Sequence, residues 1–215
     1  MLLKGVLGSA AFVIAASTCS ATTLASSGFD ASAEGWSAAN GARSFAWVAT
    51  GGDPDGYISA RELRGETLWY FVAPADYLGD VGSAYGGTLS YRLKSDGSSA
   101  PLETAYADVQ LLGSNGVRLA YNGGVAPTAD WSQYGVSLVA DGSWRVDSLS
   151  GAVATAADLQ GVLSGLQELR IRGDYFQAVE TTGLDSVVLT AVPEPASALL
   201  MLGGLGLLAA VARRS

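Results

Sequence analysis

The feature that most constrains the fold is a strict two-residue alternation in residues 89–94. Successive side chains of an extended strand point to opposite faces of a sheet. The apolar and polar sets separate cleanly here, since Leu89, Tyr91 and Leu93 alternate with Ser90, Arg92 and Lys94. Just before, residues 68–73 form an apolar run that is too short for a helix and ends at Pro74. The pattern predicts antiparallel strands with one face on a core and the other in water.

Short strand patterns separated by turn residues recur along the rest of the chain. Roughly ten such segments, with turn signals every 8–12 residues, favour a two-sheet sandwich. The Asn115-Gly116 pair predicts a hairpin turn between strands near residues 109–112 and 117–121. Four tryptophans in or beside these strands are predicted core residues: Trp36, Trp47, Trp69 and Trp144.

One short helix is predicted among the strands. Thr155 and Asp158 have the spacing of a capping box. Four apolar side chains then recur at helical intervals: Leu159, Val162, Leu163 and Leu166. Gly161 and Gly165 weaken the pattern, so its ends are not defined by the sequence.

Longer motifs resemble the laminin B domain, also called the laminin type IV domain. Residues 69–80 read Trp-Tyr-Phe-Val-Ala-Pro-Ala-Asp-Tyr-Leu-Gly-Asp, and residues 84–91 read Ala-Tyr-Gly-Gly-Thr-Leu-Ser-Tyr. Three later segments fit the same family in the same order: residues 108–113, 169–175 and 183–189. The resemblance implies an all-β fold, a jelly-roll, galactose-binding-like antiparallel β-sandwich of extracellular proteins. It carries no catalytic motif.

The first 25 residues have the layout of a secretory signal peptide. Lys4 precedes an apolar run at residues 5–16, and small residues follow, with alternative cleavage sites after Ala21 and Ala25. The residues before Cys19 also resemble a lipoprotein box, but Thr18 fits that motif poorly. We therefore expect an N-terminal signal helix that is removed on secretion.

The last 24 residues resemble the PEP-CTERM sorting signal of Gram-negative bacteria. Pro193-Glu194-Pro195 is followed by seventeen apolar or small residues, 196–212, and by Arg213-Arg214. That length is just enough for a transmembrane helix, and the arginines favour a cytoplasmic end. The resemblance implies processing by an exosortase, transient anchoring in the inner membrane, and delivery to the cell surface or extracellular matrix.

Composition excludes several kinds of site. The chain has no histidine, which removes Ser-His-Asp triads, Cys-His dyads and His-ligated metals. Its only cysteine, Cys19, lies in the leader, so no internal disulfide can form. Without the two ends, 19 acidic and 9 basic residues leave a net charge of −10, which disfavours nucleic-acid binding. An enzyme would have to use carboxylates alone, and no spacing singles out a pair; we predict a protein without catalytic activity.

Acidic residues near the two ends of the domain suggest a structural calcium ion. Asp30 lies near the first strand and Asp185 opens the last one, and the resemblance implies that these strands are neighbours. Asp53 and Asp55 lie in a Gly/Pro turn that also exposes carbonyl oxygens. Calcium prefers several such hard oxygen ligands. The alternative is that Asp53 and Asp55 form a turn and Asp185 holds a strand by hydrogen bonds.

Aromatic residues in loops are the candidates for binding sugars. Tyr175 and Phe176 follow Gly173-Asp174 and are the first choice; Trp131 and Tyr134 are the second. The predicted organisation is a signal peptide at 1–25, a β-sandwich at 26–191 and a sorting signal at 192–215. Two functions remain open: a module that binds exopolysaccharide, and a protein–protein component of the surface matrix.

Overall fold

Two antiparallel sheets pack face to face over one apolar core in the computed structural model of the chain, which describes residues 21–62, 68–102 and 106–192. The described residues form twelve strands: β1 (Thr22–Ser27), β2 (Ser37–Asn40), β3 (Ala42–Val48), β4 (Tyr57–Glu62), β5 (Trp69–Val72), β6 (Thr88–Ser95), β7 (Val109–Gly113), β8 (Arg118–Tyr121), β9 (Ser132–Ser137), β10 (Trp144–Val146), β11 (Leu166–Arg172) and β12 (Thr181–Ala191). This confirms the predicted all-β sandwich.

Sheet 1 has the strand order β3-β4-β12-β6-β9, and β1 also pairs with β12. The long strand β12 is its centre, since it pairs with β4 through Thr181–Leu184 and with β1 through Val187–Ala191, while β6 lies along its other edge. The first and last strands of the sandwich are therefore neighbours, as the resemblance implied.

Sheet 2 has the order β10-β8-β7-β11-β5-β2. The hairpin predicted at Asn115-Gly116 joins β7 to β8, with Gly116 at a positive φ of 79°. The apolar run around Phe71 becomes β5, which lies between β11 and β2. Each sheet thus contributes one buried face to the core.

The alternation in β6 is realised as predicted: Leu89, Tyr91 and Leu93 are buried, while the intervening side chains are partly exposed. Trp36, Trp69 and Trp144 are buried core residues. The expectation for Trp47 is wrong, because this side chain is 37% exposed. It lies on β3, an edge strand with no neighbour on its far side to cover the ring.

The predicted helix is α1 (Ala156–Leu163). Thr155 and Asp158 form a complete capping box, in which each side chain bonds to the other residue's backbone N–H. Leu159, Val162 and Leu163 are buried. The helix ends before Leu166, which instead opens β11.

Several predictions about the chain ends lie outside the described residues: the signal helix before residue 21, the transmembrane helix, and the sorting motif with Pro193, Glu194, Pro195, Arg213 and Arg214. Strand β1 begins at Thr22, so residues 22–25, assigned above to the leader, pair with β12. Within the described residues, no helix is long and apolar enough to cross a membrane.

Candidate functional site

The face of sheet 1 that points away from the core carries a groove. Its floor is formed at Gly183, which pairs with Ser59 of β4 on one side and with Lys94 of β6 on the other. A Cβ at this position would lie 3.0 Å from the Tyr57 ring and 3.1 Å from the Trp131 ring. Glycine is therefore what allows two aromatic side chains to meet over the central strand. We call this site the sheet-1 groove.

The walls of the sheet-1 groove are aromatic and cationic. The rings of Tyr57 and Trp131 pack edge to face, with centroids 5.3 Å apart. The Lys94 ammonium lies 4.0 Å from the Tyr57 ring centre and 4.5 Å from that of Trp131. The cavity has a volume of about 240 Å³; Tyr57, Lys94, Asp96 and Thr181 are among its lining residues, and Trp131 packs against Tyr57 beside it. Polar groups around exposed ring edges are the usual composition of a small-molecule or sugar site.

The backbone carbonyl of Gly51 connects the groove to the loop of residues 51–56 by hydrogen bonds. The Gly51 oxygen accepts hydrogen bonds from Lys94 Nζ at 2.9 Å and from Trp131 Nε1 at 3.0 Å. Beyond it, on the same face, lies a second depression of about 370 Å³ lined by Asp53, Arg92 and Gln133, among others. Both depressions are lined by residues of β6 and β12.

The predicted carboxylates meet at a second place, the terminal junction, which we define as Asp30, Asp53, Asp55 and Asp185. Asp185 is fully buried in β12. Its carboxylate accepts hydrogen bonds from the Asp53 N–H at 2.5 Å and the Ser186 N–H at 2.6 Å. The Ser186 hydroxyl donates back to the Asp53 carbonyl at 2.9 Å. The loop of residues 51–56 is thereby fastened to the last strand.

Burial raises the pKa of Asp185 to about 7, although the bonds from Ser186 and the charge of Arg92 act against the rise. The negative charge of Asp30 also raises the pKa of Asp185. Asp53 forms an ion pair with Arg92. Asp55 is exposed and its carbonyl closes the turn by accepting the Gly52 N–H at 2.8 Å.

The junction therefore gathers the predicted calcium ligands only in part. Asp30 contributes to the raised pKa of Asp185, whereas the Asp53 carboxylate forms an ion pair with Arg92 and the Asp55 carbonyl closes the turn. Among the described residues there is no group of three or more acidic, histidine or cysteine side chains arranged to hold a metal ion. A calcium ion here would need backbone carbonyl oxygens to complete its shell of six to eight ligands.

The expectation that Tyr175 and Phe176 present their faces to a sugar is wrong. Both are buried, and Tyr175 has no exposed surface. Residues 97–102 lie across them: Leu102 N donates to the Tyr175 carbonyl at 2.7 Å, and a Cβ on Gly97 would collide with the Phe176 ring. These two rings are core residues.

Of the second pair of candidates, one lies at the groove. Tyr134 faces inward from β9 and stacks on Tyr91, with ring centres 5.5 Å apart and planes 10° from parallel. Trp131 precedes β9 and lies beside the sheet-1 groove, where its ring packs against Tyr57 and close to Gly183. Tyr57, Lys94 and Gly183 were missed. The alternation of β4 and β6 shows that Tyr57 and Lys94 are on wet faces, but only the strand order brings them together through β12.

A buried polar cluster lies inside the sandwich near the end of β11. Arg172 is fully buried, with its guanidinium between the Tyr106 and Tyr175 rings. Glu180 is also buried; it accepts the Ser95 hydroxyl at 3.1 Å and the Tyr175 N–H. Burial raises the pKa of Glu180 to about 8. These contacts join the two sheets and leave no opening to solvent at Glu180, so the cluster is structural.

The sequence matches two protein-family models and a laminin subunit. A family model described as Laminin B (Domain IV) matches residues 70–199, and one described as a PEP-CTERM protein-sorting motif matches residues 191–215. The laminin subunit alpha-3 of Homo sapiens is 36% identical over 129 residues, which are 59% of this chain and 4% of that protein. The chain thus spans only a small part of this relative. The sorting motif indicates export to the cell surface of a Gram-negative bacterium.

Solved structures share the fold at low sequence identity. The L4b domain of human laminin alpha-2 matches with a TM-score of 0.52 and 14% identity, over 58% of this chain and 70% of that one. A family 11 carbohydrate-binding module from Clostridium thermocellum, solved in complex with a β-1,3-1,4-mixed-linked tetrasaccharide, matches with a TM-score of 0.53 and 15% identity, over 83% and 100%. The Laminin B match covers more than half of the sequence, and the chain belongs to the laminin B (domain IV) family.

Proposed function

We propose that this chain is a non-enzymatic surface protein whose β-sandwich binds exopolysaccharide in the sheet-1 groove. The observation that carries the proposal is the floor at Gly183, over which Tyr57 and Trp131 meet beside the Lys94 ammonium. Aromatic rings offer apolar surface to sugar rings, while polar groups around them bind hydroxyls. The solved carbohydrate-binding module with the same fold holds a tetrasaccharide, which supports a sugar as the ligand.

The cell-surface localisation indicated by the sorting motif supports the same role. A sorting motif at residues 191–215 fits processing by an exosortase after transient anchoring in the inner membrane. The processed protein is then exposed to the polysaccharide that surrounds the cell. In this role the domain is an adhesive or structural part of the matrix.

Affinity electrophoresis of the full chain in gels containing the cells' own exopolysaccharide tests the proposal. We expect retardation that Trp131→Ala abolishes and that Trp131→Phe, which keeps an aromatic ring, retains in large part. Equal mobility with and without polysaccharide would contradict the proposal. Specific capture of another surface protein in that case would favour a protein–protein role.

We further propose that a calcium ion binds at the terminal junction, with Asp185 and Asp30 as its side-chain ligands. The buried Asp185 carboxylate, whose pKa burial raises to about 7, would be stabilised as an anion by a divalent cation. The ion would link the residues that follow β1 to β12 and so stabilise the fold. We expect a higher melting temperature in calcium than in chelator, and an Asp185→Asn variant whose melting temperature is insensitive to calcium. The same melting temperature for the unmodified chain in both conditions would exclude the site.

A further inference from the structure

We propose that the polysaccharide bound in the sheet-1 groove is acidic, a polymer whose sugars carry carboxylate groups, and that Arg43, Arg61 and Lys94 bind those groups. This inference rests on the proposed function and names the chemical class of its ligand.

The cations are gathered on the face that contains the groove. Arg43 of β3 lies directly opposite Arg61 of β4, and Arg61 lies opposite Thr181, which lines the groove. Lys94 lies opposite Gly183, the floor. Residues directly opposite in an antiparallel pair share a face. Three cationic side chains therefore extend across four strands, from the edge of sheet 1 to the aromatic walls.

Arg43 and Arg61 form a like-charge pair without a counter-charge. Both are exposed, and neither forms an ion pair within the described parts of the chain. Like charges directly opposite each other destabilise a sheet. On the outer face of sheet 2, by contrast, Arg118 and Arg170 both form ion pairs with Glu168, which offsets part of their charge. The unneutralised pair beside the groove is what an anionic ligand would stabilise.

The chemistry of these side chains favours carboxylates at intervals along a chain. Arginine binds a carboxylate through two parallel hydrogen bonds, which lysine cannot do. Arg61 and Lys94 lie on strands two positions apart, which is about 10 Å across the sheet at the usual strand spacing. A ligand reaching both is therefore longer than one sugar. Beside Lys94, its rings would contact Tyr57 and Trp131.

Acidic side chains on the same face set the limits of this cationic region. Arg92 is neutralised by Asp53, and Asp96 at the groove uses its carboxylate to accept the Thr181 N–H at 2.6 Å. The domain as a whole carries a net charge of −10. A duplex nucleic acid, with a charge every ~1.7 Å of its axis, would be repelled by the rest of this surface. A polymer with one charge per sugar at most is the better match.

The test is calorimetric titration of the full chain with polygalacturonate and with the same polymer after its carboxyl groups are reduced to alcohols. We expect affinity for polygalacturonate at least tenfold higher than for the reduced polymer. Arg61→Gln should weaken polygalacturonate binding about tenfold, as expected for loss of one charge-assisted pair, without lowering the melting temperature. Arg145→Gln, which removes the same charge from β10 of sheet 2, is the matched control and should bind normally.

Ionic strength gives a second readout. Raising salt from ~0.05 M to ~0.5 M should weaken binding of polygalacturonate but not of the reduced polymer, because exposed charges are screened. Equal affinity for the two polymers overturns this inference and leaves the proposed function standing. Binding to neither polymer overturns this inference, and the electrophoresis with the cells' own exopolysaccharide then decides separately whether the proposed function stands. An equal loss in Arg61→Gln and Arg145→Gln, or equally tight binding of single-stranded DNA, shows a general charge effect and also overturns it.

Discussion

Gly183 determines the shape of the groove through the absence of a side chain. It lies in the central strand of sheet 1, between Ser59 and Lys94. A methyl group there would approach both Tyr57 and Trp131 to about 3 Å, which is closer than ordinary van der Waals contact. The rings would have to move apart by a few tenths of an ångström.

We predict that Gly183→Ala weakens polysaccharide binding several-fold, because displaced rings no longer fit the ligand. Because the added methyl group displaces only the two rings at the groove, the melting temperature should change little. Gly135→Ala is the matched control: Gly135 is an exposed glycine of β9, and a Cβ there meets no atom within 4 Å. Affinity electrophoresis of both variants checks the prediction. Unchanged binding by Gly183→Ala would show that the ligand does not lie over this strand.

Glu180 controls how stability depends on pH. Its pKa is raised to about 8 by burial, with Asp174 adding to the rise, so the folded protein holds a proton that the unfolded chain releases near pH 4.5. Between these two values the folded state binds more protons than the unfolded state, so stability falls as pH rises. The raised pKa of Asp185, about 7, acts in the same direction.

We predict a lower free energy of unfolding at about pH 9 than at about pH 5, with Glu180 contributing roughly 3–5 kcal/mol of the difference. Glu180→Gln should remove most of this slope, because glutamine keeps the neutral shape at every pH. Denaturant unfolding at several pH values between about 5 and 9 measures the free energy of unfolding of both proteins. A stability that rises from pH 5 to pH 9 would show that Glu180 is ionised in the fold.

The loop of residues 51–56 connects the two parts of the candidate site. At one end its Asp53 N–H is held by the Asp185 carboxylate. At the other, the Gly51 carbonyl binds both Lys94 and Trp131. A Cβ on Gly52 would lie 2.7 Å from Asp185 and 2.3 Å from the Gly56 carbonyl, so the loop packs too tightly to shift as a whole. The loop is thus held at the terminal junction by one end and at the groove by the other.

We predict that Asp185→Asn weakens polysaccharide binding although Asp185 does not line the groove. An amide replaces one of the two oxygens that accept N–H groups, leaves a buried donor unpaired and costs about 1–3 kcal/mol. The loosened loop then positions Gly51 and Trp131 less well. Binding and unfolding are measured on the same variant.

A control of similar instability separates this effect from general unfolding. Thr155→Ala removes the cap of α1 and should cost about 1 kcal/mol. Because α1 packs beside sheet 2 and not at the groove, binding should stay normal. Equal loss of binding in Asp185→Asn and Thr155→Ala would contradict the connection through the loop.

Elements with strong local signals were predictable. The alternation of β6, the Asn115-Gly116 hairpin and the Thr155 cap are set by neighbours in the sequence, and all three are confirmed. The burial of Tyr175 is different, since residues 97–102 cover it from a distant part of the chain. Gly173 and Asp174, which precede Tyr175, are typical of an exposed turn. The neighbouring sequence does not show that residues 97–102 cover the tyrosine ring.

Of the residues at the groove, the sequence singles out only Trp131. The wet faces of β4 and β6 follow from alternation, and Trp131 was a candidate. Their meeting over Gly183 depends on β12 being inserted between β4 and β6. That insertion pairs residues more than eighty positions apart, such as Lys94 and Gly183, so no spacing in the sequence reveals it.

At the scale of the whole molecule, the described fold and the C-terminal sorting motif are separate parts of the chain. Residues 21–192 form one compact unit whose core lies between the two sheets. The sorting motif at residues 191–215 indicates export to the cell surface. Within the unit, sheet 1 carries Arg43 and Arg61 side by side near the groove, with no ion pair to either among the described residues, and this makes its outer face the better candidate for a ligand.

The most direct test of polysaccharide binding at sheet 1 is a nuclear magnetic resonance titration of the ¹⁵N-labelled chain with oligosaccharides from the cells' own exopolysaccharide. The chain has five tryptophans, so its indole N–H signals can be assigned one by one. We predict that the Trp131 indole and the Gly183 amide shift together and saturably, while the buried Trp69 and Trp144 indoles stay in place. Saturable shifts confined to sheet 2, or no shift at any concentration, would contradict the account.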